Sequence, residues 1–355
     1  MPKKSRYSSI EKRFAMFLAK LAPRLEDDVE RAFRQWNNVV RDHLRTETGL
    51  RLTIGNETQA VPVRIEDGLP DAFAQAIESS DEGTWALLMH RGVLRETAKG
   101  MRFLRRDFKQ VSTWLATEPT RPQYNEGRQL EARFLFEIPK EDHKPARYDE
   151  VRHVEALLYS VLRRLRSLEF IERVKAINRD VLGAYFFQNV PTVELYWMVI
   201  VFVAGLIGVS VEALTVVVII HELAHAYSHL GRDIDGKRWI TTDFEKAEPG
   251  IIEGLAQFYT ASICSKLEHR FPSVQQAYKS LLALQSGPYR VHEEWLNGQD
   301  KDRAGEVLRM SMIRCRSTGI TKLADFQFVR RQSRRGLNRL AAKLQGAYKP
   351  MGTPS

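Results

Sequence analysis

A run of apolar residues at positions 195–220 constrains the fold of this chain more than any other feature. Glu212 is its only charged residue, and a run of this length could span a bilayer or form helices that are buried on all sides. Gly205, Gly208 and Ser210 interrupt it, and Ser210 before Val-Glu-Ala is typical of a helix N-cap with an acid in the first turn. We therefore predict two buried core helices, with a membrane-embedded protein as the less favoured alternative.

The end of this run carries two histidines four residues apart, in the sequence His221-Glu222-Leu-Ala-His225. On a helix this spacing puts both imidazoles on one face, where they can bind the same metal ion. Glu222 projects about 100° away around the axis, beside such an ion, where it can accept a proton from a metal-bound water. A metal would compensate the cost of burying these groups. The alternative is a pair of core histidines hydrogen-bonded to nearby carbonyl groups.

A glutamate in a later apolar segment offers a third ligand. Glu253 lies 28 residues after His225, in a predicted helix whose small residues Gly254 and Ala256 would allow another helix to approach closely. Metal binding would explain a buried glutamate, and two imidazoles with one carboxylate leave the fourth tetrahedral position of a catalytic zinc site open for water. The alternative is a partly exposed acid near the start of a helix.

Together the two motifs, His221-Glu-Leu-Ala-His and Glu253-Gly-Leu-Ala-Gln-Phe-Tyr, resemble the gluzincin metallopeptidases, the group that includes thermolysin and the zinc aminopeptidases. The resemblance covers about residues 210–262. It implies a zincin-like domain in which His221, His225 and Glu253 bind Zn²⁺ and Glu222 acts as the general base. Peptides or proteins are the implied substrates.

The chain departs from that pattern in two ways. The spacer between His225 and Glu253 is longer than in thermolysin-like enzymes, and position 257 holds a glutamine where an acid that supports a ligand histidine is often found. Asp233, Asp235 and Asp243 are other possible sources of that support. Asp233 and Asp235 are mainly turn-forming residues and less favoured replacements for Glu253 as a ligand. His229 lies roughly 80° around the helix from the first histidine, so we expect it to be packed or exposed.

Amide hydrolysis also needs a donor that stabilises the oxyanion, and the implied enzymes use a downstream histidine or tyrosine. The cluster at residues 287–295 offers Tyr289 and His292. Tyr259, in the same predicted helix as Glu253, is a weaker candidate. The alternative is that the cluster is simply a helix start after a Gly-Pro turn.

The remaining periodicity predicts an α+β protein that is mainly α-helical, with a small sheet and the active-site helix in a zincin-like domain at residues 121–355. Residues 1–120 are predicted as a helical N-terminal region of unknown role, and a Thr- and Pro-rich break at 117–125 marks the boundary. The expected helices cover 10–46, parts of 70–115, 147–178, 250–267 and segments up to about 345. The expected strands cover 130–138, 181–187 and 190–195, with a short hairpin at 51–65.

Charge and cysteine content say less about function. The formal net charge is +10 and the pI is near 9.5, which favours acidic partners. Residues 329–350 contain no acid and seven basic residues: Arg330, Arg331, Arg334, Arg335, Arg339, Lys343 and Lys349. This segment could contact nucleic acid, but a solvated helix face is favoured. Two cysteines, Cys264 and Cys315, do not form a disulfide framework, and we expect a cytoplasmic protein.

We therefore predict a zinc metallopeptidase. The alternatives are a metal-binding scaffold without turnover and a basic nucleic-acid-binding protein in which the histidine motif is accidental.

Overall fold

The computed structural model describes residues 8–22, 24–53, 61–80, 82, 85, 181–188, 190–296 and 303–347, with side chains to residue 340. These residues are mainly helical and contain one three-stranded sheet, which confirms the predicted α+β, mainly α class. The elements predicted between residues 86 and 180, and the domain boundary near residue 120, lie outside the described residues.

Three helices and a strand precede residue 180 in the described chain: α1 (Ser9–Leu21), α2 (Leu25–Thr48), β1 (Val63–Glu66) and α3 (Asp71–Glu78). The later elements contain the two motifs and the basic C-terminal segment. They are β2 (Gly183–Phe186), β3 (Thr192–Tyr196), α4 (Trp197–Ile207), α5 (Val211–Leu230), α6 (Thr241–Lys246), α7 (Pro249–Leu267), α8 (Pro272–Leu282), a 3₁₀ helix (Gly287–Arg290), α9 (Val291–Leu296), α10 (Ala304–Thr318) and α11 (Leu323–Ala347).

The long apolar run forms the two predicted helices, α4 and α5. Gly208 ends α4 with a φ of 69°, a left-handed conformation that glycine adopts without steric cost. Ser210 then caps α5, because its hydroxyl accepts a hydrogen bond from the backbone N–H of Ala213 at 3.1 Å. In the described part of the chain α5 alone has the length and apolar character of a membrane span, and 89% of that stretch is buried inside the protein. A core helix has these same properties.

Helix α5 packs against both α2 and α7. Two hydrogen bonds join α2 to α5: Trp36 Nε1 donates to Glu212 Oε1 at 3.1 Å, and the hydroxyl of Tyr227 donates to the carbonyl of Arg41 at 3.0 Å. The buried apolar residues of α1, α2 and α3 belong to the same hydrophobic cluster as those of α4, α5 and α7. The described N-terminal helices therefore support the helix that carries the histidine motif.

The sheet has the order β1-β3-β2, with β1 parallel and β2 antiparallel to β3. The strands predicted at 181–187 and 190–195 form the β2-β3 hairpin. The described ends of the hairpin predicted at 51–65 have other partners: β1 pairs with β3, and Arg51 forms an isolated bridge with Arg232; residues 54–60 lie outside the described residues. The alternation of apolar and polar residues correctly indicated extended backbone at β1. It did not indicate the pairing partner of β1, which is the buried strand β3, where Val193 and Leu195 are fully buried.

Candidate metal centre

Helix α5 brings the two histidines of the motif together as their spacing predicts. His221 Nε2 lies 3.1 Å from His225 Nε2, with the ring planes at 88° to each other. Both side chains are buried. The ring nitrogens thus point at a common point from two successive turns of one helix.

Helix α7 supplies the third group. Glu253 Oε2 lies 3.3 Å from the Nε2 atom of His221 and 3.5 Å from that of His225. The glutamate side chain is 17% exposed, and it lies just past the first turn of α7 with one carboxylate oxygen near both imidazoles. These three residues could hold a metal ion.

The triangle formed by the three atoms fits zinc. Two ligand atoms bound to one zinc ion at about 2.0–2.1 Å in a tetrahedral arrangement stand roughly 3.3 Å apart, and the observed sides are 3.1, 3.3 and 3.5 Å. Hydrogen bonds could join two pairs of these three atoms, whereas one cation can accept a lone pair from all three of them at once. Two nitrogens and one carboxylate oxygen are ligands that zinc accepts.

The start of α7 is packed tightly, which positions Glu253. A Cβ atom on Gly254 would lie 2.6 Å from the ring of Trp295 in α9, and one on Gly250 would lie 2.8 Å from Leu323 in α11. The small residues on either side of Glu253 therefore allow later helices to press against this end of α7. The predicted role of Gly254 in close packing is confirmed, with an indole ring as the partner.

Glu222 is buried beside the triad, with 2% of its surface exposed. It follows His221 directly on α5, and strand β2 covers it. A Cβ atom on Gly183 would lie 2.9 Å from both Glu222 Cγ and Val218 Cγ1, and 3.0 Å from the carbonyl oxygen of Glu194. Only glycine lets the strand approach this closely, so Gly183 sets the distance between the sheet and the glutamate.

The 3₁₀ helix places Tyr289 next to His221 of the triad, and α9 carries His292. The ring centroid of Tyr289 lies 6.2 Å from that of His221. His292 is held at both ring nitrogens: Nδ1 lies 2.8 Å from the carbonyl oxygen of Tyr289, and Nε2 lies 2.7 Å from the hydroxyl of Tyr278. Burial lowers the pKa of His292. Because a carbonyl only accepts, the neutral ring donates through Nδ1 and accepts from Tyr278 at Nε2, so both N positions are used.

The other sequence candidates lie elsewhere. Tyr259 is fully buried, and its hydroxyl points to Met312 Sδ in α10 at 4.0 Å. His229 is packed as expected: its ring stacks on Phe244 at 4.3 Å, and burial lowers its pKa to about 4. Asp233 caps a turn, where its Oδ1 accepts from the backbone N–H groups of residues 235 and 237.

Gln257, one turn after Glu253 in α7, is hydrogen-bonded to a residue outside this helix. It is buried, and its Nε2 donates to Gln285 Oε1 at 3.0 Å. This bond links α7 to the turn before the 3₁₀ helix. Arg290 contacts the same turn, because its Nε donates to the carbonyl of Gln285 at 3.1 Å. The two contacts hold the segment that carries Tyr289.

Two residues near Glu222 were missed from the sequence. Gly183 carries no chemical group, and its importance comes only from the strand that packs on α5. Tyr196 ends β3, and its hydroxyl donates to Glu194 Oε2 at 3.1 Å. Burial raises the pKa of Tyr196, and the charges of Glu194, Glu66 and Glu222 add to this rise. No motif marks these residues, because their proximity to Glu222 comes from sheet packing.

Comparisons of this chain with models of protein families, with curated proteins and with solved structures find no match. The gluzincin resemblance of the two motifs therefore stays a prediction. Function has to be inferred from the chemistry of the residues that the structure brings together.

Proposed function

We propose that this protein is a zinc-dependent hydrolase, and specifically a metallopeptidase. The observation that carries the proposal is the convergence of His221, His225 and Glu253 on one point, with sides of 3.1 to 3.5 Å. Glu222 lies on the next position of the same helix, buried beneath β2. Ligands with an adjacent buried base are what metal-assisted hydrolysis requires.

Each residue then has a defined role. His221, His225 and Glu253 would hold the ion, which when bound supplies a Lewis acid and lowers the pKa of a bound water towards about 7. Glu222 takes a proton from the attacking water and delivers it to the leaving amine. Tyr289 donates a hydrogen bond to the oxyanion. His292 is the less suitable donor, because Tyr278 and the Tyr289 carbonyl occupy its ring nitrogens.

A zincin-like fold is part of the same proposal. Its support is a helix with two histidines, a later helix with a glutamate, and a small sheet whose strand β2 packs on the first of these helices. The motif resemblance adds to this. Peptide or protein substrates and a cytoplasmic location belong to the proposal as well.

Two rival functions make different use of the same residues. A metal-binding scaffold needs the three ligands but has no need of a general base at Glu222. A nucleic-acid-binding protein with an accidental motif needs none of the four residues. The convergence of a residue from α7 on the two histidines of α5 counts against accident.

Elemental analysis combined with a peptide-hydrolysis assay tests the proposal. We expect about one zinc per chain in the wild-type protein, loss of zinc in Glu253→Ala, and full zinc without hydrolysis in Glu222→Gln. His229→Gln is the matched control, since it changes a buried histidine of the same helix and should keep the metal. Zinc-free wild-type protein would support the accidental motif, and hydrolysis by Glu222→Gln would remove the proposed base.

A further inference from the structure

Most of the net charge of this protein lies in its last two described helices. Residues 303–340, here called the basic hairpin, comprise α10 and the part of α11 whose side chains are described. They contain ten basic and two acidic residues, which is +8 of the chain's formal +10, and nine of the ten are arginines. Arginine binds phosphate oxygens through two parallel N–H groups, which lysine cannot do.

Several of these arginines have no acidic partner among the residues that the structure describes. Arg303 pairs with Glu306 and Lys322 pairs with Glu248, whereas Arg316 is buried and donates to backbone carbonyls. Five others are exposed and form no ion pair with a described residue: Arg309, Arg314, Arg331, Arg335 and Arg339. Within the described part of the chain, folding therefore leaves a concentration of uncompensated positive charge on this surface.

Three of the five form a stripe along α11. Arg331, Arg335 and Arg339 are each four residues apart, so they lie on one face with a rise of about 6 Å between neighbours. Phe328 lies less than one turn before this stripe and is 54% exposed. Asp325, in the first turn, is the last acid of the helix. A polyanion lying along α11 would meet a regular row of cations and no repelling carboxylate.

The opposite face of α11 is already used by the protein core. Phe326 and Val329 are buried, and the ring of Phe326 lies 5.4 Å from that of Trp295. A basic amphipathic helix that binds a membrane inserts its apolar face into the lipid. At Phe326 and Val329 that face is covered by the core, so the surface favours a partner bound through the exposed cations over insertion into lipid.

We propose that the basic hairpin binds the phosphate backbone of a nucleic acid without regard to sequence. Guanidinium groups on one helix face contact successive phosphates, and the release of condensed counterions drives binding. The proposal is independent of the hydrolase function, because it uses exposed arginines of α11, whereas the contacts of α11 towards α7 come from its first turn, where Leu323 packs on Gly250 and Phe326 packs on Trp295.

Fluorescence anisotropy with a short labelled DNA duplex, measured between about 50 and 200 mM salt, tests this surface. The variant is R331Q/R335Q/R339Q. The control R31Q/R34Q/R45Q removes the same number of charges from α2, where each arginine is paired with an acid. Thermal melts followed by circular dichroism check that both variants are folded.

We expect the stripe variant to lose about ten-fold or more in affinity at low salt, and its slope of log K against log salt to fall by about 0.9 for each lost phosphate contact. The control should stay within about two-fold of the wild type, and Glu222→Gln should bind as the wild type does. No binding by the wild type, equal loss in both triple variants, or binding to phosphatidylserine vesicles in preference to DNA would each overturn the proposal.

Discussion

Glu222 and Glu253 show how neighbouring groups give the same side chain different roles. Glu253 reaches across from α7, and its Oε2 atom meets two imidazole nitrogens. Glu222 is on α5 with those imidazoles, but it follows His221 by one residue and so points to β2. In the proposed centre, Glu253 would bind the ion and Glu222 would move a proton beside it.

Tyr289 and Tyr259 provide a matched test of the oxyanion donor. Tyr289→Phe should lower kcat by about 10²- to 10³-fold while KM and zinc content stay unchanged, because a donor that acts only in the transition state is lost. Tyr259→Phe removes a hydroxyl that contacts Met312 Sδ in α10, and should leave kcat unchanged. Steady-state kinetics on a peptide substrate compare the two. A larger loss in Tyr259→Phe would reverse the assignment.

At the scale of elements, the contact between β2 and α5 sets how closely the sheet approaches the proposed active site. Gly183 is the position of closest approach, with Glu222, Val218 and the carbonyl of Glu194 all within about 3 Å of where a Cβ would lie. One of these three neighbours is backbone, which cannot turn away as a side chain does. The spacing of the two elements therefore depends on a residue with no side chain.

Adding a methyl group at this contact should lower the free energy of unfolding, whereas the same change at a position with open space should raise it. Gly183→Ala should destabilise the protein by about 1–3 kcal/mol through overpacking and reduce turnover, because Glu222 is displaced. Gly336→Ala in α11, where a Cβ meets no atom within 4 Å, should stabilise by about 0.5–1 kcal/mol. Urea denaturation measures both free energies of unfolding. Stability changes of the same sign would contradict this account of Gly183.

At the scale of the whole molecule, the proposed ion would join two helices of one continuous core. Helix α5 would contribute two ligands and α7 one, and α5 also packs against α2. A ligand that binds only the folded state stabilises that state according to its concentration and affinity. Metal binding and global stability should therefore be coupled.

Removal of the metal should lower the melting temperature of the entire described core. At a free zinc concentration of about a thousand times Kd the ion contributes about 4 kcal/mol, so a chelator should lower Tm by roughly 5–15 °C, and added zinc should restore it. Differential scanning calorimetry measures the shift. His221→Ala serves as the reference, because its Tm should not respond to the chelator, and an equal response in both proteins would indicate an effect unrelated to this site.

Local sequence was sufficient for the features that depend on neighbours along the chain. Ser210 and Gly208 mark the boundary between α4 and α5, because capping and left-handed backbone are properties of single residues. The four-residue spacing of His221 and His225 placed both rings on one face, because the helix repeat is fixed. The same rules identified β2 and β3 as extended segments but misassigned the partner of β1, which lies more than a hundred residues away in the chain.

Taken alone, the sequence therefore determined that a buried helix presents two imidazoles and an adjacent carboxylate, since spacing and apolar content act within one helix. Only the tertiary structure decided that Glu253 meets those imidazoles, that His292 is held by Tyr278 while Tyr289 faces the site, and that Gly183 touches Glu222. These contacts join residues far apart in the chain. They depend on how helices and strands pack against a shared core, which no local pattern encodes.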